Sequence, residues 1–145
     1  MERRITQNKF CQILFLSPVD GYGCFVYSKI DKYEHQNEDE SWDGIIDPDS
    51  FLFSFKKGKP RIFELKEKYQ NESVLFLPNK YHEQLFSMGN CEICVGKKGH
   101  LASCEQDEDS FFDYQGKKKA LTGIEGKRYA GKQFKIKRLV VLQFK

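Results

Sequence analysis

Asp49-Ser50-Phe51-Leu52-Phe53-Ser54-Phe55 carries the clearest period of two in the chain. Successive side chains alternate across an extended strand, so Phe51, Phe53 and Phe55 share one face, with Leu52 and Ser54 on the other. The aromatic face is expected to meet the core between two stacked sheets. Lys56-Lys57-Gly58-Lys59-Pro60 follows as a turn, and Arg61-Ile62-Phe63-Glu64-Leu65 alternates again.

Working back toward the N-terminus, Phe10 to Leu16 reads as a buried strand and Ser17-Pro18-Val19-Asp20-Gly21 as a turn. Gly23 to Tyr27 then reads as the returning strand of a hairpin. Residues 31–50 have no apolar period and read as a long acidic loop, a candidate contact element. Toward the C-terminus, Val74 to Leu77, Gln84 to Met88, Cys91 to Val95 and His100 to Cys104 read as short strands. Gly89-Asn90 and Gly96 to Gly99 separate three of them. Phe134 to Ile136 alternates, and Leu139 to Leu142 runs unbroken, as a centrally buried strand would. A bulge or bend is expected at Lys137-Arg138. Short helices fit only at 64–72 and 105–120. Many short strands with turns between them predict a mainly β (α+β) fold: a two-sheet antiparallel sandwich flanked by a few short helices.

The chain has 145 residues, the size of one ordinary domain, and residues 1–145 are read as that single domain. Thirteen Phe and seven Tyr against two Met weight the core toward aromatics, which suit a pleated surface. No apolar run reaches the roughly 20 residues that cross a bilayer, and no signal-like segment follows Met1-Glu2-Arg3-Arg4. Five cysteines, an odd number, favour reduced thiols and a cytoplasmic setting over a disulfide framework. Charge is uneven: residues 31–49 carry a net −7 and residues 117–145 a net +9. The basic end reads as a solvated face of strands more than as a nucleic-acid surface, and no nucleic-acid partner is expected.

The sharpest chemical signal is Cys91, Cys94, His100 and Cys104, three thiols and an imidazole within fourteen residues. These are ligand types for tetrahedral zinc, and the lysines and glycines between them resemble a knuckle that grips single-stranded nucleic acid. The spacers are five residues before His100 and three after it, whereas a knuckle has equal ones. If 91–95 is a strand, Cys91 and Cys94 point to opposite faces and cannot share an ion. No metal site or cofactor is therefore assigned. His35, His82 and His100 lack a paired nucleophile, and Asp107, Glu108 and Asp109 lack calcium-loop spacing. No catalytic residue is assigned, and the chain is not expected to be an enzyme. A thiol-based antioxidant remains a further alternative to the zinc-dependent binder.

The order of these motifs resembles that of TLDc domains. Gly21-Tyr22-Gly23-Cys24-Phe25 is similar to their FG-x-F hairpin, and Asp49 to Phe55 to their acidic-x-Phe-Leu-Phe-Ser-Leu strand. Leu85 to Asn90 with Glu92 to Val95 resembles their glycine-centred hairpin. Cys104, Phe112 and Leu121 are similar to a later Cys-x-Thr-Phe…Leu segment, and Phe134 to Leu142 to the closing strand. The usual leading helix is missing, as in a divergent or shortened member. Val140 and Leu142 stand where many members carry a Glu-x-Trp pattern. The resemblance implies a β-sandwich in a eukaryotic, cytoplasmic protein-binding domain linked to oxidative-stress resistance. It also implies subunits of the vacuolar proton ATPase as partners. A monomer is expected.

Overall fold

In the computed structural model, Leu52 packs into the core and Phe55 does not. The structure describes residues 10–16, 21–28, 42–56, 58–78, 84–96, 100–102, 110–117, 121, 134–135 and 138–144. Eleven strands are described: β1 (Phe10–Leu16), β2 (Gly21–Val26), β3 (Trp42–Ile46), β4 (Phe51–Lys56), β5 (Lys59–Glu64), β6 (Ser73–Pro78), β7 (Gln84–Met88), β8 (Ile93–Gly96), β9 (His100–Ala102), β10 (Phe134–Lys135) and β11 (Arg138–Phe144). They form two antiparallel sheets, one of five strands in the order β11-β1-β2-β4-β5 and one of six in the order β10-β9-β8-β7-β6-β3.

The inner faces meet in one core. Tyr22, Cys24, Val26, Leu52 and Phe63 come from the five-stranded sheet; Leu75, Met88, Ile93 and Val95 come from the six-stranded one. Each such side chain contributes about 1.5–3 kcal/mol when fully buried. The mainly β two-sheet architecture is thus as the strand pattern predicts. The two hairpins around the Phe-rich stretch also hold: β1 pairs with β2 from Cys11↔Val26 to Leu16↔Gly21, and β4 with β5 from Phe51↔Glu64 to Lys56↔Lys59.

Four expectations are corrected. The aromatic face of β4 is the outer one, because Leu52 and Ser54, both fully buried, point inward. Alternation fixes which residues share a face, but a row of three Phe does not fix which face is covered. Secondly, the acidic loop is interrupted: Trp42–Ile46 is a strand paired with β6, with a register shift at Ile45/Ile46. Thirdly, β11 lies at an edge of its sheet, paired with β1, instead of at the centre. An unbroken apolar run records cover on both faces and says nothing about how many hydrogen-bonded neighbours a strand has.

The fourth correction concerns the helix expected at 105–120; the short one expected at 64–72 is present as one turn. The 64–72 segment holds the end of β5 and a single 3₁₀ turn at Glu67–Tyr69. Residues 110–117 are extended, with an isolated bridge Leu65↔Phe112 and a turn closed by Lys117 N–H to Tyr114 O at 3.0 Å. Positive φ at both Gln115 and Gly116 turns the chain there instead of coiling it.

β10 and β11 belong to different sheets; the bend expected at Lys137-Arg138 involves Lys137, which is outside the described residues. Residues 31–41, the Ser17–Asp20 turn, the 105–109 cluster, Cys104 and residues 136–137 lie outside the described residues. Among the described residues no helix is long and apolar enough to cross a membrane.

Candidate functional site

The outward face of the five-stranded sheet carries a ladder of aromatic rings. On β2 the inward residues are Tyr22, Cys24 and Val26, which leaves Gly21, Gly23 and Phe25 facing out. On β4 the outward set is Phe51, Phe53 and Phe55, and the register sets Phe25 against Phe51, Gly23 against Phe53 and Gly21 against Phe55. Gly23 and Gly21, beside Phe53 and Phe55, put no side chain on that face of β2.

Phe25 and Phe51 stack with centroids 5.1 Å apart and planes 2° from parallel. Phe51–Phe53 and Phe53–Phe55 are edge-on at 6.5 and 5.6 Å, and Tyr27 meets Phe25 edge-on at 4.8 Å. Each pair contributes about 0.5–1.5 kcal/mol beyond its buried area. Phe53, in the middle, is 5% exposed, whereas Phe55 is 42% exposed and its neighbour Ile62 on β5 54%. Ile62 is the register partner of Phe53 and so lies on the same face. The ladder ends at the β4–β5 turn, where the sequence supplies Lys56, Lys59 and Arg61. Contiguous exposed apolar surface beside charged residues is the usual mark of a contact site.

Two buried carboxylates hold the frame behind this face. Asp47, which follows β3, accepts the backbone N–H groups of Tyr27 and Ser28, both at 2.7 Å on Oδ2. It thereby ties the end of β2 in one sheet to the end of β3 in the other. In the sequence it is one of eight carboxylates in a stretch read as an acidic loop, and nothing local sets it apart.

Glu92 makes the second tie. Gly89 and Cys91 take left-handed backbone at φ 62° and 61°, and the β7–β8 turn they shape folds the Glu92 side chain back under itself. Its Oε2 accepts the Asn90 N–H at 2.5 Å and its Oε1 the Phe112 N–H at 3.0 Å. Burial pushes this carboxyl up to about 7, against the opposing pull of the Phe112, Asn90 and Phe111 N–H groups and the Lys66 ammonium. The gripped segment also pairs with β5, through Lys66 N–H to Phe111 O and Asp113 N–H to Glu64 O, both 2.9 Å. A lone Glu in a turn gives no sequence signal for such a role.

The zinc-like set is only partly visible. Cys91 belongs to the turn and not to a strand, so the argument that Cys91 and Cys94 face apart does not hold. Ser87 Oγ lies 3.9 Å from Cys91 Sγ and 3.4 Å from Cys94 Sγ. His100 lies in β9 with its backbone alone described, and Cys104 is outside the described residues. Among the described residues no three Cys, His, Asp or Glu side chains converge as metal ligands.

Comparison of the chain with family models, with curated proteins and with solved structures finds no match. The functional reading therefore rests on the geometry and on the motif resemblance.

Proposed function

We propose that the chain is a non-enzymatic, TLDc-like protein-binding module that docks its partner on the outer face of the five-stranded sheet. The observation that carries this reading is the exposed end of the aromatic ladder, Phe55 beside Ile62, on a sheet face whose inward side already fills the core. A fold that needed these side chains only for stability would turn them inward, as it does Leu52 and Phe63. Rigid aromatic and branched side chains on strands lose little conformational freedom on docking, which favours them as anchors. The basic turn next to Phe55 would then set which partners approach.

The motif order adds the candidate partner, subunits of the vacuolar proton ATPase, and a role in oxidative-stress resistance, exercised by a cytoplasmic monomer. The test is binding of purified vacuolar ATPase to wild-type protein and to the Phe55→Ser/Ile62→Ser double variant, with Leu85→Ser as an exposed control on the other sheet. The reading expects wild type and L85S to bind alike and the double variant to lose at least about tenfold in affinity, or 1.4 kcal/mol, with unchanged circular dichroism. Equal binding by all three proteins, or by none, would overturn it.

A further inference from the structure

The β7–β8 turn brings two thiols to one hydroxyl. Cys94 is the register partner of Ser87, and both sit between core-facing neighbours, Ile93 and Val95 on β8, Phe86 and Met88 on β7. Alternation therefore directs Ser87 and Cys94 to the side of the sheet away from the core. Left-handed backbone at Cys91 turns its side chain back over the same place, within reach of the Ser87 hydroxyl, which donates to it. Cys91 is half-buried and so reachable, while Cys94 is buried at 7% exposure. A reachable thiol and a buried one thus flank a shared hydrogen-bonding group.

We propose that Cys91 and Cys94 form a hydroperoxide-responsive pair that closes to a disulfide across the turn. The Cys91 thiolate attacks the distal peroxide oxygen; an S–O bond forms, the O–O bond breaks, and the alkoxide or hydroxide leaves with a proton as alcohol or water. The Cys94 thiolate then attacks the Cys91 sulfenic sulfur; the S–S bond forms, the S–O bond breaks, and hydroxide departs as water. Two electrons pass from the two sulfurs to the peroxide. Both thiol protons finish in the alcohol and water products. Ser87 is a positioning residue, its hydroxyl between the sulfurs steadying whichever is anionic. The pair lies on the six-stranded sheet, so this inference stands apart from the proposed docking face.

The experiment treats the full-length protein with one equivalent of hydrogen peroxide, blocks remaining thiols, and digests it without reductant for mass spectrometry. The expected product is a peptide holding Cys91 and Cys94 that is two hydrogens lighter and unblocked at both. Cys94→Ser should leave a Cys91 sulfenic acid that dimedone captures. Ser87→Ala should give the same disulfide severalfold more slowly, with circular dichroism unchanged. Pairing of either cysteine with Cys11, Cys24 or Cys104 instead, no sulfenic acid at Cys91 in Cys94→Ser, or protection of both thiols by one equivalent of zinc would overturn it.

Discussion

Glu92 Oε1 accepts the backbone N–H of Phe112 at 3.0 Å, so a turn of the six-stranded sheet grips the segment that extends the edge of the five-stranded one. Phe112 itself is fully buried, and Phe63 and Tyr114 pack at 5.1 Å beside it in the same core cluster. The carboxylate satisfies N–H groups that would otherwise be buried without an acceptor. The energetic cost is the burial of the acid itself.

That cost has a sign in pH. Burial pushes the folded Glu92 carboxyl up to about 7, from the 4.5 of an exposed glutamate. Between those values the unfolded chain has lost its proton and the folded chain has kept it. Stability from this group is therefore full below about pH 4.5 and falls as pH rises to about 7, by about 3 kcal/mol in all. Urea unfolding at pH 5 and pH 8 should show wild type losing stability over this range relative to Glu92→Gln. Parallel pH profiles for the two proteins would contradict the assignment.

Gly89 is held in place by two independent constraints. Its φ is 62°, and a Cβ there would run into the Glu92 carboxylate. Gly58 has a similar φ of 71° but open space around it. Gly89→Ala should cost about 2–4 kcal/mol, combining backbone strain with displacement of the buried acid, and Gly58→Ala only about 1 kcal/mol. Thermal unfolding of both variants measures the difference.

Asp47→Ala removes the acceptor of two N–H groups at once and should destabilise by about 2–4 kcal/mol. Asp47→Asn keeps one oxygen for both donors and should cost about 1 kcal/mol. If denaturant unfolding finds the two variants equal, the tie between β2 and β3 does not act through these hydrogen bonds.

The two faces of β4 should respond unequally to truncation. Leu52→Ala opens a cavity in the core and should cost about 2–5 kcal/mol. Phe55→Ala removes a partly exposed ring with one ring neighbour, Phe53, and should cost about 1 kcal/mol or less. Equilibrium unfolding of the pair is the check.

Much of the fold could be read from local pattern. Phe51 to Phe55 and Arg61 to Leu65 announced a hairpin because alternation and a Gly-Lys-Pro turn agree. Gln84 to Met88 is bounded as predicted. What escaped was decided by distant contacts. The face of β4 that is covered depends on Phe63, Leu75 and Ile93, whose partnership no local period encodes. The Trp42–Ile46 strand was hidden by neighbouring carboxylates, although Ile45 inward and Ile46 outward follow the ordinary alternation. At the candidate sites, the sequence offers Cys91 and Cys94 as ligand types, but a strand over 91–95 would set them on opposite faces. The left-handed φ at Cys91, a non-glycine residue, is what brings them together.

The docking account stands on the end of the aromatic ladder, Phe55 beside Ile62, facing solvent, and side-chain NMR with a soluble paramagnetic agent probes that directly. Resonances of the Phe55 ring and Ile62 methyls should broaden strongly, and those of the Leu52 methyls should remain sharp. Broadening of Leu52 with protection of Phe55 and Ile62 would place the ladder inside the sandwich and remove the proposed docking surface.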